Sequence, residues 1–496
     1  MTRFLEDHLD DWAIETPDAT AFRFGKDSLT YGALAAASDR IARLLASLGV
    51  GPGDQVGIYM DQCLDMPAAV YGILKSGAAY VPLDASAPVN RTAAIVNAAE
   101  IKTILSQNSK STNCAALADL CKDFKNLIGA EVADLQCFDI DADAPKPTVA
   151  PHRSTDDTAY ILFTSGSTGT PKGMVHTHVS GAAYVDMAAS LFDLRASDRI
   201  GNHSPLHFDV AMLAFFSIIS KGGTSVLIPE MLTKLPASLS QLIQDEKLTV
   251  WYSVPFALIQ LVEYGVLDKR DLTSLRWIIY AGAPMSARHL HTLQTDLPKA
   301  RFSNAYGPAE ANQVTYYHLP KEPHPLNLPV PIGYPCAHTD IAFDDGELLI
   351  SSPALMREYL GRDDLNESAF TQIDGQRFYR TGDLVTQSDD GTLNYLGRRD
   401  RQVKIRGIRV ELDEVELTLS AHETVSEVAV QVAQDGLTLE AFVTSAAGHQ
   451  ADAKTLDAHV RSLLPAAFVP ARFEILRAFE RTATGKINRT ALRMSA

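Results

Sequence analysis

Between Phe22 and about Leu275 the hydrophobic positions of this chain switch repeatedly between two periods. ALAAASDRIARLLASLGV carries its apolar residues at helical spacing and reads as an amphipathic helix. DQVGIYM, KTILSQ, GTSVLIP and LTVWYSV are short apolar runs of the kind a buried strand needs. Such alternation predicts α/β architecture for a large N-terminal domain built of several subdomains. The Asp-, Pro- and Thr-containing stretch from Ile140 to Asp157 predicts a surface connector ahead of a buried strand, AYILFT, Ala159 to Thr164. Past Gly397 the pattern changes to a basic strand QVKIRGIRV, a helix ELDEVELTLSA, strands EVAVQVA and LTLEAFVT, a helix from Ala453 to Leu464 and a strand RFEIL. A run of about 100 residues suits a small α+β domain. The expected division is therefore 1–399 and 400–496, hinged near Asp400.

Composition narrows the classes. A chain of 496 residues exceeds what one core usually organises. Its 46% hydrophobic and 21% charged residues are those of a globular protein, and no apolar run is long enough for a membrane helix, so no membrane partner is expected. Residues Met1 to Trp12 carry acids instead of a basic flank and an apolar run, which argues against a secretory signal and for a cytoplasmic location. The net charge of −16 disfavours a nucleic-acid partner, which needs clustered Lys and Arg. Cys63, Cys114, Cys121, Cys137 and Cys336 are odd in number and form no CxxC pair, which speaks against a disulfide framework and a zinc site. Cys63 is expected in the core.

The strongest local chemistry is Thr164-Ser165-Gly166-Ser167-Thr168-Gly169-Thr170-Pro171-Lys172-Gly173, directly after a predicted strand. Its glycines let backbone N–H groups approach an oxyanion, Thr164, Ser165, Ser167 and Thr168 add hydroxyl donors, and Lys172 adds charge. This is a phosphate cradle, and its spacing is not that of the Walker loop GxxxxGK[ST].

With LTYGALAAASDRIARLL, LKSGAAYVPLDASAP, NAYGPAE, YRTGDLV, GRRDRQVKIRGIRVELDEVE and TATGKINRTAL following in order, the chain resembles the adenylate-forming superfamily. Within it, the amino-acid adenylation domains of nonribosomal peptide synthesis are most similar. The resemblance spans nearly the whole chain. Ala309 stands where Thr is usual, SSPALMREYLG is a loose version of its motif, and the last motif lacks its usual proline. The resemblance implies ATP and Mg²⁺ as cofactors. Lys486 would reach the substrate carboxylate and the α-phosphate, and Glu310 with Thr164 would hold the metal. Asp383 would accept the ribose hydroxyls with Arg398 nearby. Adenine would rest against Gly282, Ala283 and Tyr306, beside Asn304, Ala305 and Gly307. Asp400 would be the hinge of a mobile small domain, and the loop at Gly407 would line a tunnel for the incoming thiol after rotation.

The same resemblance makes Asp209, in SPLHFDVAMLAFF, the partner of a substrate ammonium, which favours an amino acid over a fatty acid. The remaining pocket residues would be Phe208, Val210, Leu213, Ile279, Ala281, Ala305, Gln313 and Val314, with either Tyr252 or Ser253. An apolar lining without a second charge favours a small or medium aliphatic side chain, such as that of proline, alanine or valine, with a β-amino acid as a variant. No carrier domain is found in the sequence, so the acceptor is expected to be the phosphopantetheine thiol of a separate carrier protein. The competing expectations are a D-alanine–carrier protein ligase, an acyl- or aryl-coenzyme A synthetase and a catalytically inactive nucleotide-binding scaffold.

Overall fold

The computed structural model describes residues 3–133, 135–144, 153–166, 170–481 and 487–492. Among the described residues, two large sheets organise the N-terminal part. One has nine strands and is parallel through its middle, where Thr224–Leu227, Arg199–Asn202, Val250–Ser253, Trp277–Tyr280 and Arg301–Tyr306 lie side by side. The other has eight, with Ala79–Pro82, Gln55–Tyr59 and Thr103–Ser106 parallel at its centre. Val250–Ser253 and Trp277–Tyr280 are buried at every position, as continuous apolar runs demand of strands covered on both faces.

The helix Asp65–Ser76 is buried at ten of its twelve positions, the pattern of a helix enclosed on all sides. Tyr71, Ile73 and Leu74 from this helix join Phe22 and Phe215 on one side and Tyr80 and Tyr160 on the other in a single core. Tyr71 donates its hydroxyl to the Phe215 carbonyl at 2.7 Å. The two sheets are therefore fixed to each other around an apolar helix, and the ends of their strands face a common space. A five-stranded sheet, including Glu347–Ser351, Gln376–Gln387 and Leu393–Arg398, follows and leads towards the C-terminal part.

The C-terminal part has its own core, in which Ile405, Val410, Val415, Leu419, Val430, Val443, Leu456 and Val460 meet. The expected fold class, a large α/β domain followed by a small α+β domain, holds. QVKIRGIRV is not one strand: Gln402–Ile405 and Ile408–Glu411 form an antiparallel hairpin. Arg406 and Gly407, at φ 51° and 84°, are both left-handed, which is the geometry of a two-residue hairpin turn. Side chains alternate across the strand Val425–Val432, so Val428 and Val430 face the helices while Ala429 faces Phe442 and Phe479 on the other side. Ile487 packs on that second face, and Arg481 pairs there with Glu427 at 2.6 Å. Cys63 is half-buried against the main core, while Cys114, Cys121 and Cys336 are buried.

Candidate active site

A cavity of about 960 Å³ opens beyond the carboxyl ends of the parallel strands, where ligands sit in open α/β sheets. Tyr252, Ala281 to Ala283 and Asn304 to Gly307 reach it from successive strands of the larger sheet, and Thr164 and Ser165 from the other sheet. The hairpin of the small domain closes it with Lys404, Gly407 and Arg409.

The loop after Thr164 joins two antiparallel strands, since Thr164 pairs in register with Lys172 at the start of Lys172–Thr177. It is a hairpin connection, whereas a Walker loop leads from strand to helix. Thr164 Oγ1 is buried without a hydrogen-bond partner among the described residues, and Ser165 Oγ donates to the Arg409 carbonyl at 3.2 Å. Burial lowers the Lys172 ammonium pKa, Arg409 lowers it further, and Glu411 opposes them. Ser167, Thr168 and Gly169 lie outside the described residues.

Asp383 and Arg398 are cross-strand partners in the antiparallel pair Gln376–Gln387 and Leu393–Arg398, which brings Arg398 Nη1 to 2.9 Å from Asp383 Oδ1. Tyr306 donates its hydroxyl to the other Asp383 oxygen. Arg398 also donates to Asp400 at 2.7 and 2.6 Å, tying the residue expected as the hinge to the strand before it. Gly382 stands at φ 71°, the left-handed region that favours glycine, and a Cβ there would meet Arg398 Nη2 at 2.6 Å. Asn304 donates to the Pro331 carbonyl at 2.7 Å.

Glu310 is fully buried, yet its pKa is held down to about 2. Burial acts to raise it and is outweighed by Arg409, whose Nη1 donates to both carboxylate oxygens at 2.8 and 3.1 Å, and by Tyr359, whose hydroxyl donates at 2.6 Å. Arg409 and Tyr359 stand inside the motifs GRRDRQVKIRGIRVELDEVE and SSPALMREYLG, neither of which points to Glu310. Neither an ion pair spanning 99 positions nor a hydroxyl 49 positions away leaves a local signal.

Asp209 is the opposite case. Its Oδ1 accepts from Val210 N at 3.0 Å, and among the described residues its carboxylate forms no ion pair. Burial pushes its pKa up to about 6, against the pull of Lys404. Lys404 projects into the open space of the cavity, enclosed by enough protein to lower its own pKa. Phe208, Val210, Tyr252, Ala281, Ala305 and Gln313 line the cavity with Asp209, and Gln313 Oε1 is buried without a hydrogen-bond partner among the described residues. Leu213, Ile279 and Val314 do not line it: all three are fully buried in the main core, Ile279 two residues deeper along its strand than Ala281. Of the pair left open by the sequence, Tyr252 lines the cavity, while Ser253 is buried and accepts from Trp251 Nε1 at 2.8 Å.

Lys486 lies outside the described residues. Arg481 and Ile487, which bracket it and pair as an isolated bridge, sit on the face of the small-domain sheet opposite the core that the hairpin shares.

The AMP-binding enzyme family profile matches residues 9–360, and that of the AMP-binding enzyme C-terminal domain matches 414–486. The chain is 32% identical over 503 residues to an L-proline–[L-prolyl-carrier protein] ligase of Pseudomonas fluorescens, with 96% of each covered. It superposes on the amide bond synthetase McbA of Marinactinospora thermotolerans with a TM-score of 0.88, 26% identity and 98% of each chain covered. It also superposes on the Vibrio cholerae adenylation domain AlmE in complex with glycyl-adenosine-5'-phosphate, with a TM-score of 0.85, 26% identity, and 98% of this chain and 96% of that one covered.

Proposed function

This chain belongs to the AMP-binding enzyme family, and we propose that it is an AMP-forming ligase that activates a small aliphatic amino acid, proline foremost, and passes it to a separate carrier protein. The observation that carries the amino-acid reading is Asp209. A half-buried carboxylate that forms no ion pair among the described residues, in a cavity otherwise walled by Phe208, Val210, Tyr252, Ala281 and Ala305, is matched by a ligand that brings an ammonium and little other polarity. The relatedness to a prolyl-carrier protein ligase supports proline, and the glycyl-adenylate complex of AlmE supports an amino acid.

In the first half-reaction the amino-acid carboxylate attacks the α-phosphorus of ATP, pyrophosphate leaves and an aminoacyl-adenylate forms. The barrier lies in bringing two anions together. Asp383, held by Arg398 and Tyr306, accepts the ribose hydroxyls, and Asn304 to Gly307 with Gly282 and Ala283 flank the base. Thr164 to Lys172 cradle the phosphates, and Lys486 supplies the cation at the reacting atoms. Glu310 and Thr164 fit a magnesium ion: one is a buried ionised carboxylate and the other an unpartnered hydroxyl, and magnesium is usually held by one or two carboxylates together with substrate phosphates. When bound, the ion would neutralise phosphate charge.

In the second half-reaction a carrier thiol attacks the adenylate carbonyl and AMP leaves. The hairpin with Gly407 at the cavity, and the bracket of Lys486 on the other side of the small-domain sheet, support the present arrangement as the one for this step. The cavity walls include Ser86, Arg91 and Ile95 of the large domain and Pro465 and Phe468 of the small one, a route for a thiol on a long arm.

The test is pyrophosphate exchange into ATP across proteinogenic, D- and β-amino acids, with fatty and aryl acids as controls. A signal with one small aliphatic amino acid supports the reading. A signal with D-alanine alone, or only with fatty or aryl acids, replaces it, and no signal with any acid leaves a nucleotide-binding scaffold.

A further inference from the structure

Three groups given above to the phosphate end of ATP are each engaged by one strand of the small domain, Ile408–Glu411. Glu310 takes two hydrogen bonds from Arg409 Nη1, Ser165 Oγ donates to the Arg409 carbonyl, and Lys172 Nζ stands 3.8 Å from Glu411 Oε1. Glu310 is fully buried and needs a countercharge. The guanidinium covers both its oxygens, and the Tyr359 hydroxyl takes a further site on Oε1. A divalent cation on the same carboxylate requires the guanidinium to withdraw.

A second ion pair between the domains behaves differently. Arg91 Nη1 lies 2.6 Å from Oε1 of the fully buried Glu414, and neither residue is hydrogen-bonded to Glu310, Ser165 or Lys172. It holds the same seat without engaging the groups assigned to the phosphates. The nucleotide dependence of the arrangement therefore falls on Arg409.

We propose that Arg409 is a positioning residue for the second half-reaction: it takes the place of the magnesium on Glu310, so the small domain seats its hairpin at the cavity only after pyrophosphate and its cation have left. The proposal rests on the assignment of Glu310, Ser165 and Lys172 to the phosphates. It makes the order of the two half-reactions a matter of charge, since one carboxylate serves two cations in turn. Magnesium pyrophosphate and the seated arrangement then exclude each other, and by linkage each weakens the other by the same factor.

The test uses the full chain with dyes at two exposed positions, Tyr264 in the large domain and His449 in the small one. Energy transfer between them is followed while magnesium pyrophosphate is added without amino acid. The ligand should shift the efficiency in the wild type, and its half-saturating concentration should fall roughly fivefold or more in Arg409→Gln, where the competitor is gone. Single-turnover transfer from preformed adenylate to the thiol should slow in Arg409→Gln by a larger factor than pyrophosphate exchange does, with partial rescue in Arg409→Lys. An efficiency that magnesium pyrophosphate leaves unchanged, or an unaltered half-saturating concentration in Arg409→Gln, overturns the proposal. Absence of amino-acid-dependent exchange in the wild type overturns the activity instead, and the titration still decides whether Arg409 and the cation compete.

Discussion

Two carboxylates, Asp209 on the cavity wall and Glu310 fully buried next to the lining residue Ala309, differ in nearly every electrostatic respect. Glu310 lies beside the small domain's strand Ile408–Glu411, carries Arg409 and Tyr359 on its oxygens, and stays ionised down to about pH 2. Asp209 lies among Phe208, Val210 and Tyr252, accepts only a backbone N–H, and takes a proton at about pH 6. Burial raises both; a resident cation reverses its effect in one case only. The protein pairs Glu310 by itself, whereas Asp209 has no ion pair among the described residues. Between about pH 6 and 2 the two groups are in opposite states, one neutral and one charged.

The comparison breaks most sharply at Asp209. Asp209→Ala should lower amino-acid-dependent exchange by roughly 10²–10³-fold, as removal of one member of a desolvated charge pair does. Nucleotide affinity, measured by calorimetry, should stay within about twofold. An exchange rate near the wild type would remove the amino-acid reading.

Tyr359→Phe deletes a charge-assisted hydrogen bond to Glu310 and should destabilise the protein by about 1.5–3 kcal/mol in denaturant titration. No change would mean that Arg409 alone holds the carboxylate.

The pH dependence follows with its sign. The folded pKa of Asp209 is raised, so the ionised form that pairs with an ammonium is lost as pH falls through about 6. Between pH 7 and 5 kcat/KM for the amino acid should drop about tenfold. Glu310 does not titrate in that window; the stability it contributes is complete above its ordinary pKa of 4.5 and fades towards about 2. A flat profile over pH 5–7 would contradict the Asp209 environment. Gln313→Leu should have the smallest effect, changing the ratio of kcat/KM between proline and valine by less than about fivefold.

Much of this was readable in the residues, and the failures have causes. The strands VWYS and YILFT and the helix at Tyr31–Ser47 stand where apolar period and length put them. QVKIRGIRV reads as one strand, yet its apolar positions move from odd (Val403, Ile405) to even (Ile408, Val410), which is the mark of the two-residue turn at Arg406–Gly407. The unpaired carboxylate of Asp209 was foreseeable from its motif. The burial of Leu213, Ile279 and Val314 was not, since distance from a strand end decides whether an inward side chain meets the cavity or the core beneath it. The contact of Arg409 with Glu310 depends on how two separately folded parts meet, and no period along the chain encodes that.

The two cores also bear on exchanging parts between relatives. Each part keeps its own hydrophobic interior, so a chimera joined near Asp400 has what it needs to fold on both sides of the junction. Compatibility is decided elsewhere, by whether the donor supplies a guanidinium for Glu310 and an acid for Arg91. A transplanted small domain that lacks either would leave a buried charge stranded in the recipient, so positions 409 and 414 are the ones to match before any linker is adjusted.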